Sequence, residues 1–379
     1  MNGRVIFGGS FDPPTLAHLD FIEKLSKYFS EVVIMPSYIS PFKEMGASLD
    51  GQTRYELLKS ETAHLSNVIV SDFELKSKGK SYTYKTAQAF SSDNVPLYFA
   101  IGSDILGEIT SWTNPDILAQ ALIFYLSARP HYPIRPDELN NARKIYRVEV
   151  APFSGIAGSS TEVKIAQAFG CVGNVVSKRV ATVIVDRKLY RDYEYITKMY
   201  NELGLSYERQ RHIYGVACAS AVLAKKNRVD VDKAIRGALL HDISKSLSDE
   251  QLLTYGVKDL AHDLPLSVRH QRTGAQLAQA IFDEKDKDVL SAIAYHTTGR
   301  SNMSMLEKII FTADYIEDGR TMQGVETIRE QAYIDIDVAV AQILQATLKH
   351  LHGKETDIAV KTQEAFEFYK KFLINSRGR

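Results

Sequence analysis

The 379-residue sequence contains only two cysteines, Cys171 and Cys218, and their spacing matches neither a disulfide framework nor a metal-binding motif. Its first residues lack the basic and apolar regions of a secretory signal peptide. It also lacks any apolar stretch near the roughly 20 residues that a membrane-spanning helix requires. We therefore expect a cytoplasmic protein that has no membrane partner.

The chain carries no net charge, because 46 basic residues balance 46 acidic ones. Without an excess of positive charge there is no overall field to attract nucleic acid, and we expect no nucleic-acid partner. Hydrophobic residues make up 45% of the chain, which is typical of a globular protein. A length of 379 residues exceeds one ordinary hydrophobic core and predicts two domains.

Two kinds of hydrophobic pattern divide the chain near residue 190. Before it, short β-rich runs alternate with helical spacing, which predicts a Rossmann-like α/β domain with a parallel sheet at 1–190. After it, apolar residues recur at intervals of three and four, which predicts an all-α domain at 191–379. The junction at 186–195 contains no glycine or proline and is predicted to be short and helical. The predicted strands are 4–9, 31–37, 67–73, 96–103, 121–127 and 146–152.

The stretch GGSFDPPTLAHL at 8–19 breaks a buried strand with two glycines and then starts a helix. Its two prolines exclude helix until Thr15, which can cap the helix that follows. Gly8 and Gly9 allow the backbone to approach a phosphate, and His18 lies one turn into the helix. This pattern favours an anion site, although a tight strand-to-helix turn with a surface histidine explains it equally well.

The motif resembles the signature of the HIGH-type nucleotidyltransferases. Further segments resemble, in order, the bacterial nicotinate mononucleotide adenylyltransferases, and the resemblance covers about residues 3 to 190. Those segments are PFK (41–43), RYELL (54–58), SYTYKT (81–86), IGSD (101–104), SW (111–112), ARP (128–130) and GSSTEVK (158–164).

The resemblance implies transfer of the adenylyl group of ATP, accompanied by Mg²⁺, to nicotinate mononucleotide. It places His18 on the transferred phosphate, with Thr15 and Lys164 as further catalytic residues. The implied ATP contacts are Gly8, Gly9, Ser10, Phe11, Ser159, Ser160 and Thr161. The implied mononucleotide contacts are Lys43, Arg54, Thr83, Gly102, Asp104, Trp112 and Arg129, with Trp112 stacked on the pyridine ring. An ordinary packed aromatic residue is the alternative interpretation of Trp112.

The chain departs from the family pattern at two of these positions. Thr15 stands where the family usually has the first histidine of its signature, and Lys164 stands where the family has arginine. A hydroxyl can still donate to a phosphate oxygen, and lysine keeps the charge without the bidentate geometry. We expect an active enzyme, and a degenerate module that senses nucleotides and regulates the second half is the alternative.

In the second half, ionisable residues lie on the apolar faces of predicted helices. One such histidine is usually a core residue with its hydrogen bonds satisfied. Five helices that each direct one ionisable residue into the same bundle favour a metal cluster instead, because metal bonds replace the lost hydration. The residues on these faces are His212, Asp242, His270, His296 and Asp314, and His241 is adjacent to Asp242.

This spacing resembles the HD superfamily of metal-dependent phosphohydrolases over about 195 to 370. The segments HDISK, RHQRTGA, YHTTGR and FTADYIEDGR resemble its YqeK-type members, which hydrolyse diadenosine tetraphosphate symmetrically to two ADP. The resemblance implies two transition-metal ions and favours iron, with manganese as the alternative. The implied metal ligands are His212, His241, Asp242, His270, His296 and Asp314, with Asp242 bridging both ions and acting in catalysis.

Phosphate contacts in this HD-type domain are implied for Lys245, which is also a candidate catalytic residue, and for Arg320. Solvated helix ends explain these two equally well. A phosphate-binding turn is expected at 297–299, with Thr297 and Gly299 as its contacts. A second His-Asp pair, His262-Asp263, is expected on the surface. Another HD activity on other nucleotides remains the rival function, and the sequence leaves homo-oligomer formation open.

Overall fold

A computed structural model describes residues 3–38, 48–77, 79–92, 95–353 and 357–375. It divides into two compact units, Met1–Arg191 and Asp192–Arg379. The division falls beside the position at which the sequence pattern changes. Lys43, one of the expected mononucleotide contacts, lies outside the described residues. The described helices include none with the length and apolar character that a membrane crossing needs.

The first unit is built on a six-stranded parallel sheet in the order β3-β2-β1-β4-β5-β6, which confirms the predicted α/β architecture. The edge strand β3 is shorter than its predicted run, and Ile69 at its centre is 53% exposed. The strands are β1 (Arg4–Gly9), β2 (Glu31–Pro36), β3 (Val68–Val70), β4 (Leu97–Gly102), β5 (Ile123–Ala128) and β6 (Val148–Ser154).

Both faces of this sheet are buried, as a parallel sheet requires. Ile6 and Phe99 belong to the core on one face, and Val5 and Tyr98 belong to the core on the other. The helices of this unit are α1 (Leu16–Tyr28), α2 (Gly51–Thr62), α3 (Phe73–Lys76), α4 (Thr83–Phe90), α5 (Pro115–Ala121), α6 (Pro136–Arg143), α7 (Ser160–Ala168) and α8 (Lys178–Asp186).

Strand β1 pairs with β2 on one side and with β4 on the other. The strand order therefore reverses between β1 and β4. Open parallel sheets bind their ligands at the carboxyl ends of the strands beside such a reversal. The loop that follows β1 lies at this position.

The second unit consists of helices in the part of the chain that is described, as predicted. Helices α10, α11, α13, α14 and α15 pack against one another around a core that includes Leu239, Ile293 and Ile310, which are fully buried. The helices are α9 (Glu194–Thr197), α10 (Tyr207–Lys226), α11 (Val231–Leu240), α12 (Asp249–Thr254), α13 (Arg269–Phe282), α14 (Lys287–Tyr295), α15 (Met305–Ile316), α16 (Val325–Ala332), α17 (Ile336–His352), α18 (Val360–Tyr369) and α19 (Lys371–Asn375).

The segment between α8 and α9 is not helical, so the prediction of a helical junction was wrong. Lys188 and Tyr190 have φ angles of 53° and 57°, which a right-handed helix excludes. The reason is a tertiary contact, because the Tyr190 hydroxyl donates to Asp12 Oδ1 at 2.5 Å. Both side chains are buried, at 5% and 7% exposure.

Candidate functional site

The first turn of α1 orients the ring of His18. Thr15 is the N-cap residue, and its side-chain oxygen accepts the His18 N–H at 3.3 Å. In return, the Thr15 N–H donates to Nδ1 of His18 at 3.0 Å. Because Nδ1 accepts, the neutral ring carries its proton on Nε2. Thr15 is fully buried, so the expectation that its hydroxyl faces a phosphate is corrected: it holds His18 in place.

The two glycines that end β1 leave room for aromatic rings beneath the loop. A Cβ on Gly8 would lie 3.1 Å from Cζ of Phe99, and one on Gly9 would lie 3.3 Å from the ring of Phe11. Phe11 is 1% exposed, and its ring centroid lies 5.1 Å from that of His18. The Phe11 side chain therefore packs against the histidine, and the expected place of residue 11 in the ATP cradle stays a prediction.

Arg54 braces the same loop from inside the protein. Its guanidinium donates to the main-chain oxygens of Ser10 at 2.5 Å, Ser37 at 2.8 Å and Leu49 at 3.1 Å. The side chain is 2% exposed. The expected mononucleotide contact of Arg54 is corrected, since the side chain is buried and its Nε and Nη1 atoms donate to these carbonyls. Asp12 adds a second brace by accepting the Leu49 N–H at 2.9 Å.

The N-terminus of α7 meets that of α1. A Cβ on Gly158 would lie 3.0 Å from Cβ of Ala17, and Gly158 has a φ of +142°, so both space and backbone conformation require glycine there. Ser159 caps α7 by accepting the Glu162 N–H at 3.2 Å. Two helix N-termini at one place make a site that favours anions. The expected phosphate contacts Ser160, Thr161 and Lys164 lie in the first turns of this helix.

Three of the expected mononucleotide residues come together where β4 and β5 end. Arg129 donates to Asp104 at 2.9 Å and to the Gly158 main-chain oxygen at 2.7 Å. A side chain on Gly102 would overlap both Asp104 and Arg129. This ion pair therefore joins the strand ends to the start of α7.

Trp112 is partly exposed and is held by two core rings. The ring centroids of Phe99 and Phe124 lie 5.9 Å and 5.7 Å away, at angles of 90° and 71°. Phe99 also lies beneath Gly8, so one core side chain positions both the glycine loop and the tryptophan. Thr83 begins α4 and is partly exposed.

In the second unit, two histidines at helix C-termini direct a ring nitrogen inward. Nδ1 of His241 lies 2.6 Å from the Ala238 main-chain oxygen, and Nδ1 of His296 lies 2.8 Å from that of Ile293. Because a carbonyl only accepts, each Nδ1 carries a proton, and Nε2 keeps its lone pair when the ring is neutral. The His241 Nε2 atom is buried and has no hydrogen-bond partner in the described part of the chain.

Asp242 lies at the centre of the cluster and is 1% exposed. Its Oδ1 atom lies 3.3 Å from Nε2 of His270 and 3.6 Å from Nε2 of His296. Its Oδ2 atom lies 3.6 Å from Nε2 of His241 and 4.0 Å from Nε2 of His212. One carboxylate thus has a different oxygen toward each pair of histidines.

The ligand atoms form two groups that could each hold a metal ion. His212, His241 and Asp314 form one, and His241, Asp242 and His296 form the other, with all atoms of a group within 4.8 Å of one another. Nε2 of His212 lies 2.9 Å from Oδ1 of Asp314.

Two of the histidines and the central carboxylate have the ionisation states of metal ligands. Burial lowers the pKa of His241 to about 4 and that of His270 to about 2, so both rings are neutral at pH 7. Burial alone would raise the pKa of Asp242, but His241 and His296 hold it well below its ordinary value. Neutral imidazoles and ionised carboxylates, gathered in a buried place, fit a divalent metal ion.

Two family patterns match the chain: Cytidylyltransferase-like over residues 6–166 and HD domain over residues 209–319. A symmetrical bis(5'-nucleosyl)-tetraphosphatase of Halalkalibacterium halodurans is 38% identical over 46% of this chain and 93% of its own length. A probable nicotinate-nucleotide adenylyltransferase of Clostridium tetani is 33% identical over 35% of this chain and 68% of its own length. The chain belongs to both families, one in each half.

Relatives that align with most of this chain carry both activities in one name. The probable nicotinate-nucleotide adenylyltransferase/Ap4A hydrolase of Mycoplasma genitalium is 26% identical over 84% of this chain and 88% of its own length. The adenylyltransferase half and the tetraphosphatase half therefore follow each other here in the same order as in the family resemblances.

Three positively charged side chains lie beside Asp242 and Asp314 in the tetraphosphatase half. Arg209 Nη1 lies 2.6 Å from Asp242 Oδ2, and Lys245 Nζ lies 3.3 Å from Asp242 Oδ1. Arg320 Nη2 lies 2.9 Å from Asp314 Oδ1. About a third of each cationic side chain is exposed, at 30%, 36% and 35%. Sequence reasoning missed Arg209, although its position three residues before His212, a candidate metal ligand, is a usable signal.

The expected phosphate-binding turn at 297–299 does not present its N–H groups to a ligand. Thr297 and Thr298 donate theirs to Oε1 of Gln271 at 3.2 Å and 3.0 Å. Gly299 donates to the Tyr295 main-chain oxygen at 2.9 Å. The expectation that these N–H groups bind phosphate is corrected, because their bonds hold the turn that follows His296. Gln271 was not identified from the sequence.

The second His-Asp pair lies on the surface, as predicted. His262 is 58% exposed and lies 2.9 Å from Asp249, and Asp263 is 64% exposed and pairs with Arg272.

Proposed function

We propose that the protein is a bifunctional enzyme. Its first half converts ATP and nicotinate mononucleotide to deamido-NAD and diphosphate, and its second half hydrolyses diadenosine tetraphosphate to two ADP. The named relatives of each half support this assignment. The observation that carries the second activity is the meeting of histidine ring nitrogens with the carboxylates of Asp242 and Asp314.

Adenylyl transfer requires alignment and charge stabilisation rather than a protein nucleophile. A phosphate oxygen of the mononucleotide attacks the α-phosphorus of ATP, and diphosphate leaves. Nε2–H of His18 donates to the phosphate oxygen on which charge accumulates. The N-termini of α1 and α7 favour the remaining phosphates, and Lys164 neutralises the leaving diphosphate, with Mg²⁺ accompanying ATP.

The mononucleotide lies against the ends of β4 and β5. Trp112 stacks on the pyridine ring, because Phe99 and Phe124 pack crosswise against it and fix its plane. The Asp104–Arg129 pair gives a fixed cation beside the ring and the phosphate.

In the second half, His212, His241, Asp242 and Asp314 would hold one metal ion, and Asp242, His270 and His296 would hold the other. Histidine with carboxylate favours iron, with manganese as the alternative. When bound, two such ions polarise phosphoryl oxygens and lower the pKa of a water nucleophile. Arg209, Lys245 and Arg320 bind the phosphate chain, and their charges compensate those of the two ADP products.

The assignment is tested with the purified chain under two sets of conditions. ATP with either nicotinate or nicotinamide mononucleotide measures the first half, and we expect the nicotinate form to react faster. Diadenosine tetraphosphate with Fe²⁺, Mn²⁺ or Mg²⁺, after removal of bound metal, measures the second half. Binding of ATP without diphosphate release would instead support the regulatory-module alternative.

A further inference from the structure

Glu317 is a buried carboxylate immediately after α15, and the proposed mechanism does not use it. It is 5% exposed, and its Oε1 atom lies 3.2 Å from Nδ1 of His212. The opposite ring nitrogen of His212 faces Asp314 at 2.9 Å. His212 is therefore held between a metal-site carboxylate and a second carboxylate behind it.

This arrangement differs from that of two other histidines in the cluster. His241 and His296 donate Nδ1–H to main-chain oxygens, which are neutral acceptors. His212 has a carboxylate in the same position. A carboxylate behind a histidine ligand fixes its tautomer and raises its basicity, and loss of such a partner typically weakens metal binding about 10- to 100-fold.

The second oxygen of Glu317 is fixed as well. Oε2 accepts the Gly319 N–H at 2.6 Å. A Cβ on Gly215 would overlap this oxygen, so glycine at that position on α10 leaves space for the carboxylate. Gly215 lies three residues after His212 and thus on the same face of the helix. Gly319 thus gives the Glu317 carboxylate a hydrogen bond, and Gly215 leaves space for it.

We propose that Glu317 is a positioning residue that keeps a proton on Nδ1 of His212 and so directs the Nε2 lone pair to the metal. The inference rests on the proposed metal site of the tetraphosphatase half. It goes further by assigning a role to a residue outside the ligand set.

Because the Gly319 N–H is fixed, we expect the isosteric variant Glu317→Gln to weaken metal binding more than Glu317→Ala does. In Glu317→Gln the amide has one oxygen, and the Gly319 N–H requires an acceptor. The amide NH₂ then faces Nδ1 of His212 and donates to it. The ring proton must move to Nε2, where it blocks the metal ligand. Glu317→Ala removes the carboxylate without adding a donor, so the ring can still adopt the binding tautomer.

The test compares Glu317→Gln, Glu317→Ala and Gly215→Ala with the parent in the full-length chain. Glu367→Gln is the matched control, because Glu367 is 64% exposed in the same unit. Histidine ¹⁵N NMR of the metal-free protein reports which ring nitrogen of His212 is protonated. Equilibrium dialysis against Mn²⁺ alone, followed by elemental analysis, gives the affinity and the number of ions per chain. Circular dichroism establishes that each variant is folded.

We expect Nδ1 to be protonated in the parent and unprotonated in Glu317→Gln, with Mn²⁺ affinity at one position reduced by more than about tenfold. Glu317→Ala and Gly215→Ala should lose less of their Mn²⁺ affinity, and the control Glu367→Gln should lose none. If Nδ1 of His212 is protonated in Glu317→Gln, or if this variant binds Mn²⁺ as the parent does, the role proposed for Glu317 is overturned while the metal site stands. A parent that binds no Mn²⁺ and no Fe²⁺ would instead overturn the metal site itself.

Discussion

Thr15 and His18 hydrogen-bond to each other in both directions across the first turn of α1. This reciprocal pair caps the helix and sets the tautomer of the histidine at once, because Nδ1 is occupied by the Thr15 N–H. The proposed catalytic donor and the stability of the helix therefore depend on the same two residues.

Replacement of the histidine tests its role in transfer. His18→Ala should lower the kcat of adenylyl transfer about 100- to 1,000-fold, as loss of one preorganised donor does. Mononucleotide affinity should stay within about tenfold, because the donor acts mainly in the transition state. Steady-state kinetics with nicotinate mononucleotide measures both. His64→Ala is the control, since His64 is 59% exposed; near-normal turnover of His18→Ala would remove the residue from the mechanism.

Thr15 should act through its hydroxyl on stability and on the histidine. Thr15→Val removes the cap and should lower the free energy of unfolding by about 1 kcal/mol, with a smaller loss of kcat than His18→Ala. Thr15→Ser keeps the hydroxyl and serves as the control. Denaturant unfolding and transfer kinetics measure the two effects, and equal stability of the valine and serine variants would contradict the capping role.

The hydrogen bond from Tyr190 to Asp12 shows that the first unit includes the chain up to at least residue 190. Fragments 1–191 and 192–379 should each fold and each keep one activity, as independent domains do. A fragment that ends at residue 186 loses the hydroxyl donor to the buried Asp12 and should be less stable by about 1 to 3 kcal/mol. Thermal melting followed by circular dichroism compares the two N-terminal fragments. Insoluble halves would show that the units do not fold alone.

The strands and their order of appearance follow from the sequence, because buried parallel strands are continuous apolar runs that local pattern reveals. The meeting of His212, His270 and His296 with Asp242 could also be predicted, since each of these histidines was expected on an apolar helical face. Arg54 could not be assigned correctly, because its carbonyl partner Ser10 is 44 residues away. Gln271 could not be identified either, because the two N–H groups that its side chain accepts belong to Thr297 and Thr298, 26 and 27 residues later. Local pattern identifies secondary-structure elements and candidate ligands, but a hydrogen-bond partner is set by the tertiary fold.

Arg209 should bind substrate phosphate rather than stabilise the fold. Arg209→Ala should raise the KM for diadenosine tetraphosphate about 10- to 100-fold, since a charge-assisted hydrogen bond contributes about 1.5 to 3 kcal/mol. Arg211→Ala, two residues away and exposed, is the matched control. Hydrolysis followed by separation of ADP gives KM and kcat. An unchanged KM together with a lower melting temperature would make Arg209 a structural partner of Asp242.

Replacement of Asp242 distinguishes most sharply between a metal centre and a hydrogen-bonded core. The side chain is 1% exposed, and both of its oxygens face histidine nitrogens. Asp242→Ala should lower the bound metal toward zero and abolish ADP release, while adenylyl transfer in the first half continues. If the cluster were only a hydrogen-bonded core, the same change would alter stability by about 1 to 3 kcal/mol and leave metal content unaffected.

The chain supplies its own control for this experiment in the exposed His262-Asp263 pair. Asp263→Ala removes the same side chain from the same dipeptide, but at 64% exposure and beside Arg272. Elemental analysis and both assays on the parent and the two variants decide between the interpretations. A parent without a bound transition metal, or an Asp242→Ala variant that still hydrolyses diadenosine tetraphosphate, would exclude the metal centre. The expected result is metal loss in Asp242→Ala alone, because only that carboxylate lies within reach of four histidines.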